Sequence, residues 1–210
     1  ATRSAVINLE WTSGARYRFG ETRFEGSHVR ESLLHKSVPY ERGEPYEQDS
    51  LLRLHQRLTS LDYFGYIDVR PDTENAHDDE MPIAISLLPG KRNVYTAGLS
   101  YGTDSGAGIQ LGMDRRWVNT RGHKLGAQLD WAQRRKSLGV LYRIPAFAVA
   151  EGWYAFGANR RDEESDVLKT RITEMVASRS GAWHGWNLAL AAHLRDEDFE
   201  LGTASDRRDE

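Results

Sequence analysis

Three clusters of residues carry types that could do chemistry. Ser178-Arg179-Ser180-Gly181 precedes Trp183-His184, and a serine near a histidine is the starting material of a hydrolytic nucleophile. No strand-to-helix elbow surrounds it, and adjacency in sequence is not geometry, so the segment reads as a turn. Pro71 to Glu80 holds Asp72, Glu74, His77, Asp78, Asp79 and Glu80. Carboxylates with a histidine suit a hard cation, yet an acidic run in a hairpin loop is more often solvated. Glu163, Glu164 and Asp166 beside Arg160 and Arg161 read as a loop. His28, His35, His55, His123, His184 and His193 are scattered without ligand spacing. The expectation is a protein with no catalytic residue, no metal and no cofactor, hence not an enzyme.

Composition narrows the classes further. The chain has 210 residues, no cysteine, and 28 basic against 31 acidic residues, a formal net charge of −3. Thiol chemistry, zinc clusters and disulfide scaffolds drop out, and the mixed charge offers no basic face for nucleic acid. The longest apolar run, Ile144 to Ala150, is too short for a bilayer-spanning helix; a membrane role requires a barrel. Ala1 to Val6 has neither the basic nor the apolar region of a secretory signal, and the chain reads as an internal segment of a longer protein.

The elements that would position these groups fall into two zones. From Tyr17 to Leu88 the pattern is strand, helix, helix, strand, strand. Tyr17 to Phe24 is β-compatible and stops at Gly26-Ser27, where Ser27 can cap a helix over 28–37 that Val38-Pro39 ends. Leu51, Leu54, Leu58 and Leu61 repeat at spacings of three and four, predicting a helix over 47–60 with Glu47 and Asp49 in its first turn. Ile67 and Val69, then Ile83, Ile85 and Leu87, alternate with polar or small residues and predict half-buried strands over 63–70 and 82–88.

From Asn93 onward strict alternation takes over. Tyr95, Ala97, Leu99 and Tyr101 oppose Thr96, Gly98 and Ser100; Ala107, Ile109, Leu111 and Met113 oppose Gly108, Gln110, Gly112 and Asp114; Leu125, Ala127, Leu129 and Trp131 oppose Lys124, Gly126, Gln128 and Asp130. Leu138, Val140, Tyr142 and Ile144, and later Trp186, Leu188, Leu190, Ala192 and Leu194, repeat the contrast. Two further segments, about 153–160 and 167–177, are less regular, because Glu174 shares a face with Leu168, Ile172 and Val176. A soluble sandwich also alternates. Segments near ten residues, glycines and amides on one face, and Tyr101, Trp117, Trp131, Tyr142, Trp153 and Trp186 at segment ends favour a membrane barrel with aromatic girdles. A soluble α+β protein with a β-sandwich stays open as the alternative.

The residues also resemble a known family. Ala15-Arg16-Tyr17-Arg18-Phe19-Gly20-Glu21 with Phe24-Glu25-Gly26 resembles the first strand of a POTRA domain, and Leu61 to Val69 its second helix entering the second strand. Ala5 to Trp11 resembles the last strand of a preceding POTRA module. Gly98 to Gly106, Trp117-Val118-Asn119-Thr120-Arg121-Gly122-His123 and Tyr142-Arg143-Ile144-Pro145 resemble the start of the barrel in the same insertase superfamily, most closely the TamA family. The resemblance implies an α+β POTRA module (β-α-α-β-β) over 15–89, after the end of a preceding module over 1–14. The N-terminal part of an antiparallel transmembrane β-barrel then follows over 90–210, as six or seven strands.

That resemblance also implies a function: assembly or translocation of outer-membrane proteins, with the POTRA module in the periplasm of a Gram-negative bacterium. Its implied partners are nascent outer-membrane or autotransporter proteins, an inner-membrane-anchored TamB-like protein and outer-membrane lipid, with no nucleic acid. A general outer-membrane insertase and a two-partner secretion transporter remain open within the superfamily. Two strand edges are the implied partner-binding sites: the POTRA strand Phe64, Gly65, Tyr66, Ile67, Asp68 and Val69, and the first barrel strand Val94, Tyr95, Thr96, Ala97, Gly98, Leu99, Ser100 and Tyr101, the lateral gate.

Overall fold

The structure, a computed structural model, describes residues 16–146, 152–165, 168–183 and 186–201. The strand expected within 1–14 lies outside them. The first zone folds as β1 (Arg18–Glu25), α1 (Glu31–His35), α2 (Gln48–Ser60), β2 (Phe64–Pro71) and β3 (Glu80–Pro89). Its sheet has the order β1-β3-β2, with β1 parallel and β2 antiparallel to the central β3.

The leucine stripe does what its spacing demands. Leu51, Leu54, Leu58 and Leu61 are buried against Phe19, Tyr63, Ile83, Ile85 and Leu87, so α2 covers one face of the sheet while Ser86 and Leu88 on the other face of β3 are exposed. Phe19 stacks on Tyr40 at 3.7 Å between ring centroids. The first helix is shorter than expected. The Ser27 hydroxyl accepts from the Val29 N–H at 3.1 Å in a local turn before the helix, and the N-cap position falls to Arg30, which has no side-chain cap.

The second zone forms β4 (Asn93–Gly102), β5 (Gly106–Arg115), β6 (Lys124–Ala132), β7 (Arg135–Ala146), β8 (Gly152–Glu164), β9 (Leu168–Trp183) and β10 (Trp186–Leu201). These seven strands pair in sequence order as one antiparallel sheet, β10-β9-β8-β7-β6-β5-β4. Among the described residues these strands form one sheet, not the two packed sheets of a sandwich. Among the described residues no helix is long and apolar enough to cross a membrane.

Register fixes the two faces. Thr96, Gly112, Gln128, Gly139, Asn159, Glu174 and Arg195 sit opposite one another in succession across all seven strands. One residue along, Tyr95, Met113, Ala127, Val140, Ala158, Met175 and Leu194 form the corresponding row on the other face, wholly apolar. Thr96, Gly112, Gln128, Gly139, Asn159 and Glu174 of the polar row line a cavity of about 620 Å³, whereas the apolar face is bare, Leu99 being 89% exposed. Glu174 therefore belongs on the polar face, where Arg195 pairs with it at 3.5 Å.

Two segments expected as turn or loop are strand. Ser178 to Trp183 is the end of β9, and Arg160 to Glu164 is the end of β8. In the second of these, charge hid the strand: the end of β8 is tied to β9 by ion pairs such as Arg171–Asp162 at 2.9 Å and Lys169–Glu164 at 2.8 Å.

Candidate functional site

The two strands expected to take partners are both sheet edges. On β2, Ile67 and Val69 pack against the core, Phe64 lies half-buried beside it, and Gly65 and Tyr66 are exposed. Asp68 is paired with Arg70 on the same strand. The side of β2 away from β3 has no hydrogen-bonded neighbour among the described residues. On β4, Tyr95, Ala97, Leu99 and Tyr101 lie on the apolar face, Thr96 and Gly98 line the cavity, and Val94 and Ser100 are half-buried. Beyond β4 no further strand pairs among the described residues. An unpaired edge presents a row of N–H and C=O groups that an extended polypeptide can satisfy.

The start of β2 touches the connector that runs from β3 to β4. The Gly90 N–H donates to the Tyr63 carbonyl at 2.9 Å just before β2 begins, and a Cβ on Gly65 would lie 3.4 Å from the Gly90 Cα.

Sequence reasoning missed what holds the two bodies together. Tyr63, fully buried, donates its hydroxyl to the Gly122 carbonyl at 2.5 Å, and the Arg30 N–H donates to the Thr120 carbonyl at 2.9 Å, so the turn between β5 and β6 docks on the small module. Gly122 has φ +74, and a Cβ there would lie 2.5 Å from the Tyr63 oxygen. Trp117 and Trp153 pack against the module's core, not in a girdle, and Trp117 lies 3.9 Å from the His28 ring. Tyr101, Trp131 and Trp186 are exposed at strand ends as expected, and Tyr142 is half-buried with its hydroxyl 2.7 Å from His123 Nδ1. An aromatic at a strand end suits either a membrane interface or a domain contact; only the docked module decides.

Charge is concentrated at this junction. Arg116 Nε donates to Asp62 at 3.2 Å, and Lys124 Nζ lies 3.8 Å from the same carboxylate. Arg92 donates to the Trp117 and Val118 carbonyls at 3.2 and 3.0 Å. Burial, reinforced by the Arg92 guanidinium, holds His28 below its ordinary pKa, and both its ring nitrogens are buried without a partner. Burial raises the Tyr63 hydroxyl well above the ordinary tyrosine value, Arg143 opposing. In the acidic loop, Asp72 accepts from Asn75 at 2.7 Å, His77 Nδ1 lies 2.8 Å from the Asn75 carbonyl and Glu80 accepts from Arg42 at 2.8 Å. These groups are engaged within the chain.

A βααββ module docked on an antiparallel sheet, apolar on one face and polar on the other, defines the class: a POTRA module followed by the opening strands of a β-barrel. Residues 17–90 match the POTRA family model, described as surface antigen variable number repeat. Among solved structures, the chain is similar to BamA from Haemophilus ducreyi lacking POTRA domains 1–3. The TM-score is 0.72 at 16% identity, over 91% of this chain and 37% of that one. It is also similar to CdiB from Acinetobacter baumannii, with a TM-score of 0.58 at 13% identity, over 90% of this chain and 39% of that one. At these identities the likeness establishes the fold, and the chain spans under two fifths of either solved chain.

Proposed function

We propose that this chain is the POTRA-plus-barrel part of an outer-membrane protein-assembly factor of the TamA type, working without catalytic chemistry or cofactor. The POTRA module stands in the periplasm, and the apolar face of β4 to β10 meets outer-membrane lipid. Clients of the autotransporter class add first to the β2 edge and then to β4, the lateral gate, and a TamB-like inner-membrane-anchored protein is the second partner. One observation supports this reading: β4, the first strand after the POTRA module, has no strand beyond it among the described residues and carries an apolar face opposite a polar face that lines a cavity. An incoming amphipathic strand pairing there would find both of its faces already matched. Gly98 adds to this, since a glycine packs no side chain and leaves the strand easier to separate from a neighbour.

Photo-reactive residues at Tyr66 and at Thr96, introduced into cells making an autotransporter-type protein, test the assignment. Adducts with the nascent client at both positions are expected, with none from Leu129 in mid-sheet. Loss of the protein should lower autotransporter-type clients selectively; an equal loss of all outer-membrane proteins would move the assignment to a general insertase. Absence of client adducts at both edges would remove the strand-addition reading.

A further inference from the structure

Lys124 and Arg143 stand directly opposite each other across the β6–β7 pair, on the polar face at the end nearest the POTRA module. Like charges facing across an antiparallel pair repel, and burial sharpens the conflict because little water screens them. Lys124 is only 6% exposed. Arg143 is half-buried, and its Nε is buried without a hydrogen-bond partner.

Neither cation is matched by the groups around it. Asp62, the one carboxylate in ion-pair range of Lys124 among the described residues, sits 3.8 Å away, is already engaged by Arg116 at 3.2 Å and is 54% exposed. Asp114 is near enough for its charge to be felt at Lys124 but makes no ion pair with it. Arg116 adds further positive charge at Lys124. Ring faces lie nearby: Lys124 Nζ is 5.0 Å from the Tyr63 ring centroid and 5.3 Å from that of Trp153, and the Arg143 guanidinium is 5.8 Å from the latter. Ring faces attract cations weakly compared with an anion and satisfy no N–H.

We propose that Lys124 and Arg143 form an oxyanion-binding site, taking one carboxylate or phosphate group whose oxygens bridge the ammonium and the guanidinium. A planar guanidinium beside a compact ammonium presents several converging N–H donors, the arrangement that oxyanions accept. This assignment does not depend on the nature of the clients.

Calorimetric titration of the detergent-folded protein tests it, with inorganic phosphate and sodium acetate as separate titrants at constant ionic strength. Saturable binding of at least one anion is expected; the better titrant identifies phosphate or carboxylate as the preferred source. Arg143→Gln should weaken that binding at least tenfold, and Arg121→Gln, an exposed cation outside the cluster, should leave it unchanged. Lys124→Met provides the second arm, scored only after heat-modifiable gel mobility confirms folding. No saturable binding of either anion by the unaltered protein, or equal binding by Arg143→Gln, would overturn the proposal.

Discussion

The hydroxyl of Tyr63, at the entrance to β2, donates to the carbonyl of Gly122 in the turn before β6, 59 residues away and at 2.5 Å. The bond is buried, so a lost donor leaves a carbonyl without water or protein to replace it. Tyr63→Phe should therefore destabilise the docked protein by about 1–3 kcal/mol. Gly122→Ala should cost at least as much, because it adds a clash with the Tyr63 oxygen to a backbone at φ +74. Urea titration of the detergent-folded protein, followed by tryptophan fluorescence, reads both. A Tyr63→Phe midpoint equal to that of the unaltered protein would mean that the bond adds nothing to docking.

Within the POTRA module the leucine stripe sets a second expectation. Leu54 and Leu58 are fully buried, so Leu54→Ala and Leu58→Ala should each cost about 2–5 kcal/mol by lost transfer energy and a residual cavity. Leu52, on the exposed side of the same helix, should change stability by less than about 0.5 kcal/mol when made alanine. The same urea titration compares the three.

Much of this was legible in the chain because period is a local property. The leucine spacing located α2, and two-residue alternation located the strands from β4 to β7 and both of their faces. Alternation failed in β8 and β9, where strands run past the apolar band and charges such as Asp162 and Arg171 pair across them, since hydrophobicity no longer reports the face. The junction was hidden for another reason. Nothing near Tyr63 signals Gly122, and Trp117 and Trp153 carry the same strand-end signature as girdle residues, so only the packed POTRA core distinguishes them. Arg121-Gly122-His123 marked a turn without naming its partner.

His28 gives the junction a pH dependence whose sign follows from its surroundings. Burial and Arg92 depress its pKa in the folded state, so the unfolded chain binds the proton more readily. The docked state is then unaffected above the unfolded value near 6.5. It loses stability as the pH falls from there towards the lower folded value, below which no further loss comes from this group. Tyr63, Phe64 and Trp117 surround the ring and Arg92 is the facing charge; His123 is lowered too, by burial and then Arg121, and adds in the same direction. Denaturation midpoints should fall between pH 7 and pH 5.5, and His28→Phe should flatten that fall. A slope unchanged by His28→Phe would assign it elsewhere.

The faces of the sheet supply the sharpest test of its setting. Leu129 lies on the apolar face between Leu111 and Leu138, and its neighbour Gln128 lies on the cavity side between Gly112 and Gly139. If the apolar face meets lipid, Leu129→Arg must bring a charge into hydrocarbon, which costs roughly 2–4 kcal/mol near mid-membrane. Gln128→Arg points instead into the cavity, where water can hydrate the longer side chain. Folding into phospholipid vesicles, scored by heat-modifiable gel mobility, should be impaired for Leu129→Arg and close to unaltered for Gln128→Arg. Leu111→Arg and Gln110→Arg, one strand away with the same facing, repeat the comparison against a local accident of packing. Equal tolerance of both members in both pairs would mean that lipid does not contact the face carrying Leu111 and Leu129, and the membrane setting proposed for this sheet would fall with it.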